Sequence, residues 1–149
     1  MSDTESAAVP EPFVVEVAMR WGDQDMLGHV NNVQIARILE ESRVRTMQAW
    51  FGDHPPFAFV LARQEIEFTS ILHYSEDPTR VQIWVPRIGN SSFDYGYRLF
   101  APTGELAALG ETTVTALDLK TGQPLPLPDS VRVALAERSG DEVPLRRRR

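Results

Sequence analysis

The residues best equipped for chemistry lie in one short segment, GDQDMLGHVNN, at positions 22–32. A long helix is predicted directly after it, and a helix start presents backbone N–H groups that carry partial positive charge. A carboxylate beside such donors can activate water or attack a carbonyl carbon, while the N–H groups stabilise the oxyanion. The segment therefore favours acyl transfer. Its polar side chains are Asp23, Gln24, Asp25, His29, Asn31 and Asn32.

The composition excludes several other chemistries. The chain has no cysteine, which rules out disulfides, thiolate metal ligands and a cysteine nucleophile and suits a reducing cytoplasm. We expect a cytoplasmic protein with no metal site and no cofactor of its own. Acidic residues outnumber Lys and Arg by 21 to 15, which argues against a nucleic-acid-binding body. No apolar run approaches the ~20 residues that cross a bilayer, so no stable membrane insertion is expected.

Two elements must position the polar segment. Apolar and other residues alternate from Phe13 to Trp21, which predicts a strand with one buried face. Residues 33–52 contain no proline and no internal glycine, which predicts a helix of about five turns. Its apolar residues cover more than one narrow stripe, so we expect a sheet to wrap around it. Asn31 or Asn32 can cap its start and Gly52 its end.

The remaining chain predicts strands in succession. Turn-forming groups SEDP, RIGN and APTG separate strand-like stretches, and we expect an antiparallel meander followed by a short helix through Ala136 that Asp129 or Ser130 caps. One strand, one long helix and then a run of strands indicates an α+β fold. The four stretches are 58–69, 79–86, 91–101 and 105–119.

The chain has the length of one domain. Residues 1–12 are expected to be a flexible arm, because they contain two prolines and few large apolar groups. Residues 13–138 are expected to form the domain. The segment 139–149 ends in four arginines and is expected to be a flexible basic tail.

The string RWGDQDMLGHVNNVQIARILEESR resembles the signature of hotdog-fold thioesterases of the 4-hydroxybenzoyl-CoA thioesterase type, which include long-chain acyl-CoA thioesterases and plant acyl-ACP thioesterases. The resemblance extends from about Val15 to Arg43. It implies a hotdog fold, in which an antiparallel sheet wraps around one long central helix. It also implies an acyl-CoA thioesterase of lipid metabolism, with coenzyme A as part of the substrate.

The resemblance implies roles for individual residues. Asp25 matches the family's catalytic aspartate, which acts as a general base or as a nucleophile. Asn32 lies where the family uses a backbone N–H at the helix start to polarise the thioester carbonyl. His29 matches a catalytic histidine of the plant branch, but Leu27 stands where that branch has an asparagine. Because of this departure, one carboxylate plus a helix start is the favoured arrangement.

Further residues are candidates on weaker grounds. Glu41 matches one of the paired acids on the family helix and is a candidate catalytic residue in the partner subunit's site, although an ion pair with Arg37 or with Arg43–Arg45 is the simpler interpretation. Arg87 is the one candidate contact for a CoA phosphate. The backbone donors expected around the substrate are those of Gly28, His29, Val30, Asn31 and Asn32.

Alternatives stay open at this point. A non-catalytic acyl-CoA-binding module and an acyl-ACP thioesterase both fit the same motif. A hydratase of the same fold is disfavoured, because its D-x-N-x-x-H pattern would need histidine at Gly28 or Val30. The resemblance implies a homodimer or homotetramer, because family sites lie between subunits.

Overall fold

The structure is a computed structural model that describes residues 12–52 and 58–146. Within these residues the chain forms one antiparallel sheet of five strands in the order β1-β3-β4-β5-β2, two α-helices and one short 3-10 turn. The strands are β1 (Phe13–Val17), β2 (Ala58–Phe68), β3 (Thr79–Ile88), β4 (Ser92–Phe100) and β5 (Leu106–Leu117). The helices are α1 (Asn32–Phe51) and α2 (Asp129–Ala136), and the 3-10 turn is Trp21–Asp23.

The long helix α1 lies against the inner face of the sheet, as the sequence predicts. Asn31 caps its start, with its side-chain oxygen accepting from the Val33 amide at 2.9 Å. Gly52 ends it with a φ of 81°, a conformation that side chains with a Cβ rarely adopt. The helix therefore begins and ends within one residue of the predicted positions.

The core under α1 is aromatic. Alternate residues of β4 point inward, and their side chains are fully buried. Neighbouring rings pack edge-on or stacked, with centroid separations of 4.9 Å for Phe93–Tyr95 and 6.1 Å for Tyr95–Tyr97. This rigid layer supports the helix whose first residues enter the candidate site.

The predicted meander is wrong for one strand. Strands β3, β4 and β5 follow one another in the sheet, but β2 pairs with β5 and not with β3. The connection 69–78 carries the chain past the start of α1, where the Val30 amide donates to the Leu72 carbonyl at 2.8 Å. Leu72 is buried there. Its burial and this hydrogen bond fix the connection beside the start of α1, so β2 and β3 are not joined by a tight turn.

The C-terminal part differs from expectation in two respects. Helix α2 starts after Pro128 without a side-chain cap, so the capping role predicted for Asp129 or Ser130 is wrong. Beyond residue 138, where the sequence places the domain boundary, residues 139–146 pack on the sheet: the Trp84 indole N–H donates to the Asp141 carbonyl at 2.8 Å, and Val143 is 3% exposed. The last three arginines and nearly all of the predicted N-terminal arm lie outside the described residues.

None of the helices in the described ranges is both long and apolar enough to span a lipid bilayer.

Candidate active site

The polar segment between β1 and α1 folds into a small hairpin that continues directly into the helix. Its two arms, 23–25 and 29–31, are joined by backbone hydrogen bonds of 2.7 and 2.9 Å and by one antiparallel bridge. Because the second arm ends at the helix cap, the hairpin and the helix start form one continuous unit. The paired residues are Asp23 with Asn31, Gln24 with Val30 and Asp25 with His29.

Gly28 closes the hairpin. Its amide donates to the Asp25 carbonyl at 3.2 Å, and its φ is 78°. A residue with a Cβ is strained at that φ, so a glycine is required for this turn. The turn brings Asp25 opposite the beginning of α1.

The Asp25 carboxylate is held by its own hairpin. Its Oδ1 accepts from the backbone amides of Leu27 at 2.8 Å and His29 at 3.0 Å, and its Oδ2 lies 3.9 Å from Nδ1 of His29. Loss of hydration acts to raise the pKa of Asp25, but the hydrogen bonds from the His29 and Leu27 amides and the charge of His29 outweigh it and hold the pKa below its ordinary value of 3.8. The carboxylate is thus ionised at neutral pH, with Oδ1 anchored and Oδ2 open.

Of the five backbone amides predicted as donors at residues 28–32, one has no hydrogen-bond acceptor among the described residues. Four of the five are bonded to acceptors of the chain, so the broad donor set expected from the sequence is wrong. The amide of Asn32, the first residue of α1, has no acceptor among the residues that the structure describes. The four committed bonds are Gly28 N to the Asp25 carbonyl, His29 N to the Asp25 carboxylate, Val30 N to the Leu72 carbonyl and Asn31 N to the Asp23 carbonyl.

Asp25 and Asn32 open on the same cleft, of about 410 Å³. Hairpin residues 29–31 line it as well, and its opposite wall is the segment 68–72 that follows β2. The hydroxyls of Thr69 and Ser70 in that wall both donate to the Leu106 carbonyl, at 2.7 and 2.8 Å. Three of the five wall residues, Phe68, Ile71 and Leu72, are apolar. The apolar side chains of the cleft, including those of the hairpin and helix, are Val30, Ile35, Phe68, Ile71 and Leu72.

His29 has a neighbour that sequence reasoning missed. The sequence indicates a histidine with no second histidine nearby, but His73 pairs with it in an antiparallel bridge, and their rings lie 5.5 Å apart, edge to face. The two residues lie far apart in the sequence, so only the crossing connection brings them together. Among the described residues no group of three or more His, Asp or Glu side chains is arranged to hold a metal ion.

Asp23 has the structural role that its position before a helix suggests. It is 2% exposed, and its carboxylate accepts from the Arg20 amide and from Nη2 of Arg37, each at 2.7 Å. Its carbonyl also accepts from the Asn31 amide at 2.9 Å. Asp23 therefore joins the end of the β1 segment, the hairpin and the helix.

Two candidates lie away from the cleft of their own chain. Glu41 on α1 accepts from Arg45 at 2.9 Å and from Arg37 at 3.5 Å, which confirms the predicted helix ion pairs. Arg87 on β3 donates to both carboxylate oxygens of Asp94, each at 3.0 Å, and this hydrogen bond is the main cause that raises its pKa. Neither lines the cleft, so the catalytic role of Glu41 and the phosphate contact of Arg87 stay predictions.

Comparison with known proteins agrees with this geometry. The family model of the thioesterase-like superfamily matches residues 19–135, and the chain belongs to that superfamily. The predicted family and hotdog fold are confirmed. This membership supports thioester hydrolysis as the general activity. No curated protein matches the sequence.

Several solved structures resemble the chain over most of its length. A thioesterase from Thermus thermophilus, solved with coenzyme A and zinc, is 31% identical over 84% of this chain and 92% of its own, with a TM-score of 0.73. A protein described as a predicted thioesterase from Bacillus stearothermophilus is 25% identical over 87% and 98%, with a TM-score of 0.79. A thioesterase superfamily protein from Jannaschia sp. CCS1 shares the fold, with 18% identity over 89% and 96% and a TM-score of 0.81.

Proposed function

We propose that this chain hydrolyses acyl-CoA thioesters to a free acid and CoA, with Asp25 as the catalytic carboxylate. The observation that carries the proposal is that Asp25 and Asn32 line one cleft, while neither Oδ2 of Asp25 nor the amide N–H of Asn32 has a hydrogen-bond partner among the described residues. An anion and a hydrogen-bond donor that face the same space can attack a carbonyl carbon and receive the charge that forms on its oxygen. The 31% identical relative bound to coenzyme A supports CoA as the carrier.

Asp25 could take part in thioester hydrolysis by two routes. In one, Oδ2 of Asp25 attacks the thioester carbon, the C–S bond breaks, CoA leaves as the thiolate, and water hydrolyses the mixed anhydride. In the other, Asp25 takes a proton from water, the hydroxide attacks, and the proton passes to the leaving thiolate. In both routes the Asn32 amide donates to the carbonyl oxygen as it gains negative charge.

The lowered pKa of Asp25 supports the first route. A general base works best when its pKa lies near the working pH, and this carboxylate is a weak base because its hairpin amides stabilise the ionised form. A nucleophilic carboxylate needs only to be ionised and accessible. Asp25 meets both conditions, with 38% of its side chain exposed.

The apolar wall supports an apolar acyl group. Phe68 and Ile71 are 50% and 57% exposed, and both face the cleft across from the helix start. An acyl chain that covered them would remove apolar surface from water, at roughly 25 cal/mol per Å².

The proposal also includes a homo-oligomer of this chain. The 11-residue strand β2 lies at an edge of the sheet, and Val60 and Leu61 on it are 40% and 52% exposed. A long, apolar edge strand pairs readily with another chain, and Phe68 at its end borders the cleft. We therefore expect a homodimer with β2 at its interface, or a tetramer of two dimers. A solution mass equal to that of one chain, measured by light scattering, would exclude both oligomers.

The test is release of free thiol from short-chain, long-chain and aromatic acyl-CoAs. We expect the wild type to cut at least one class and Asp25→Asn to be about 10²–10⁴-fold slower, because the asparagine oxygen can still accept the two hairpin amides but carries no charge. Asp129→Asn, an exposed aspartate on α2, is the matched control and should keep full activity.

The remaining outcomes separate the alternatives. If the wild type binds acyl-CoA in calorimetry but releases no thiol from any thioester, the chain is a binding module and the proposal fails. Release of thiol only from acyl carrier protein thioesters would replace CoA by that carrier. Full activity of Asp25→Asn would reject Asp25 as the catalytic carboxylate.

A further inference from the structure

The two reactive groups of the cleft stand on different parts of the chain. Asp25 lies in the first arm of the hairpin, whereas the Asn32 amide belongs to the first turn of α1. The distance between them stays constant only if the hairpin cannot tilt against the helix. The covalent link at 31–32 alone does not prevent such a tilt, since two backbone dihedrals per residue remain free to rotate.

A tether across the hairpin supplies the missing constraint. Arg37, on the second turn of α1, donates from Nη2 to Oδ2 of Asp23 at 2.7 Å. Asp23 lies in the first arm, two residues before Asp25, and its carbonyl accepts the Asn31 amide of the second arm. The arm that carries Asp25 is thus bound both to its partner arm and directly to the helix.

The guanidinium of Arg37 is itself oriented by neighbours on the helix. Its Nε donates to the side-chain oxygen of Gln34 at 2.9 Å, and its Nη1 donates to Glu41 at 3.5 Å. A charge-assisted contact held from several sides has a defined geometry, which a single flexible ion pair lacks.

We propose that Arg37 is a positioning residue for thioester hydrolysis: by holding Asp23 it fixes the Asp25 carboxylate relative to the Asn32 amide. The inference rests on the proposed function. Arg37 does not line the cleft and acts through Asp23. It also gives Glu41, which the sequence marks as a candidate catalytic residue, a role in orienting Arg37.

A positioning role is separable from a stabilising one. Asp23 keeps two other donors when Arg37 is removed, namely the amide of Arg20 at 2.7 Å and its Nε at 3.3 Å. Its buried charge therefore stays hydrogen-bonded, and the large penalty of an orphaned carboxylate does not arise. The direct tether from Asp23 to the helix is lost, and only the exposed 3.3 Å contact between Arg20 and Gln34 remains. Asp23 itself stays hydrogen-bonded to Arg20.

The test compares Arg37→Met and Arg37→Lys with Arg45→Met. Arg45 is the matched control, because it also pairs with Glu41 on the same helix but does not contact Asp23. We expect Arg37→Met to lower kcat about 10- to 100-fold with KM little changed, since misplacement by about 1 Å can cost that much. Arg37→Lys should recover part of kcat, because its ammonium can still reach a carboxylate. Arg45→Met should leave kcat unchanged.

Two further measurements exclude a structural explanation. The acid limb of the pH profile should not move in Arg37→Met, because the amides that set the pKa of Asp25 remain. Amide hydrogen exchange at Asn31 should accelerate in Arg37→Met and not in Arg45→Met. Adding Asp23→Asn to Arg37→Met should cost little more in kcat, since both changes break one tether.

The failures are distinguishable. A wild type that hydrolyses no thioester overturns the proposed function and this role with it. An active wild type with equal kcat in Arg37→Met and Arg45→Met overturns the positioning role alone. If Arg37→Met does not fold, Arg37→Lys decides: a lowered kcat together with faster exchange at Asn31 supports the tether, whereas an unchanged kcat rejects it.

Discussion

Replacing Asn32 by proline would remove one hydrogen-bond donor from the cleft and leave the helix start in place. Asn32 is the first residue of α1, and its amide has no acceptor in the part of the chain that the structure describes. Proline is favoured at the first position of a helix, because the N–H that it lacks makes no intrahelical bond there and its φ is already helical. Asn31 before it has a φ of −61° and a ψ of 142°, within the extended region that a residue before proline adopts.

The expected loss can be derived from the number of donors. Since the Asn32 amide is the single uncommitted donor of residues 28–32 in the described structure, its removal should cost as much as one oxyanion donor does, about 10²–10³-fold in kcat or about 2.7–4 kcal/mol. The Asn31 cap on Val33 stays in place. The midpoint of thermal unfolding should therefore fall by less than the ~2–4 °C that the loss of a cap, about 1 kcal/mol, produces in a domain of about this size.

The assay is steady-state thiol release at saturating substrate, with circular dichroism to verify the fold. Asn32→Ala is the matched control: it removes the same side chain and keeps the N–H, so its kcat should lie within about threefold of wild type, the scatter expected for an exposed substitution. A folded Asn32→Pro with the kcat of Asn32→Ala would refute the role of this amide. Loss of activity in both variants would show that the side chain matters instead.

Three other predictions concern the hairpin and the outer face of the sheet. The lowered pKa of Asp25 keeps its carboxylate ionised, so protonation of Asp25 should not reduce activity between about pH 8 and about pH 5. A loss of activity due to Asp25 is expected only below its ordinary pKa of 3.8, and a pH–rate profile checks this. Gly28→Ala should destabilise the chain by about 1–2 kcal/mol in urea titration, because its φ of 78° strains any Cβ. Gly96→Ala should cost about 1–3 kcal/mol and speed proteolysis after residue 138, since the new Cβ would lie 2.7 Å from Trp84 and 2.9 Å from Val143.

The sequence pattern predicted the helices and strands, but not all of the elements that each one packs against or pairs with. Alternation from Phe13 onward identified the buried face of β1, and the absence of glycine and proline from residues 33–51 identified α1. Both signals reflect contacts within one element and its nearest layer. The place of β2 in the sheet depends on the path of the connection 69–78, and nothing in the alternation of a strand states which edge it joins. The burial of Val143 was equally hidden, because the two large apolar residues of this polar segment, Val143 and Leu145, are too few to define a period.

The same holds for the candidate site: the sequence shows the residue types, but not which groups they contact in the fold. Asp25 could be proposed because the string around it resembles a family signature, whereas by residue type and position alone an aspartate before a helix is more often a cap or turn former. Which amides remain free could not be predicted, since the partners of Val30 and Asn31 are carbonyls at Leu72 and Asp23 that only the folded hairpin and the crossing connection bring near. The neighbour of His29 was missed for that reason too. The available signal was the histidine at position 73, which the sequence alone could not place.

In the proposed mechanism, the division of amides within the hairpin lets one short segment meet two opposed demands. An attacking carboxylate needs donors to stay ionised, and an oxyanion needs donors that nothing else has taken. Here the amides of Leu27 and His29 serve the carboxylate, and the helix contributes the remaining one, at Asn32. A helix start is suited to this, because its first amides have no acceptor within the helix and carry partial positive charge. The Asn31 cap occupies the Val33 amide with its side chain, so it holds the helix start without occupying the amide of Asn32, a residue that lines the cleft.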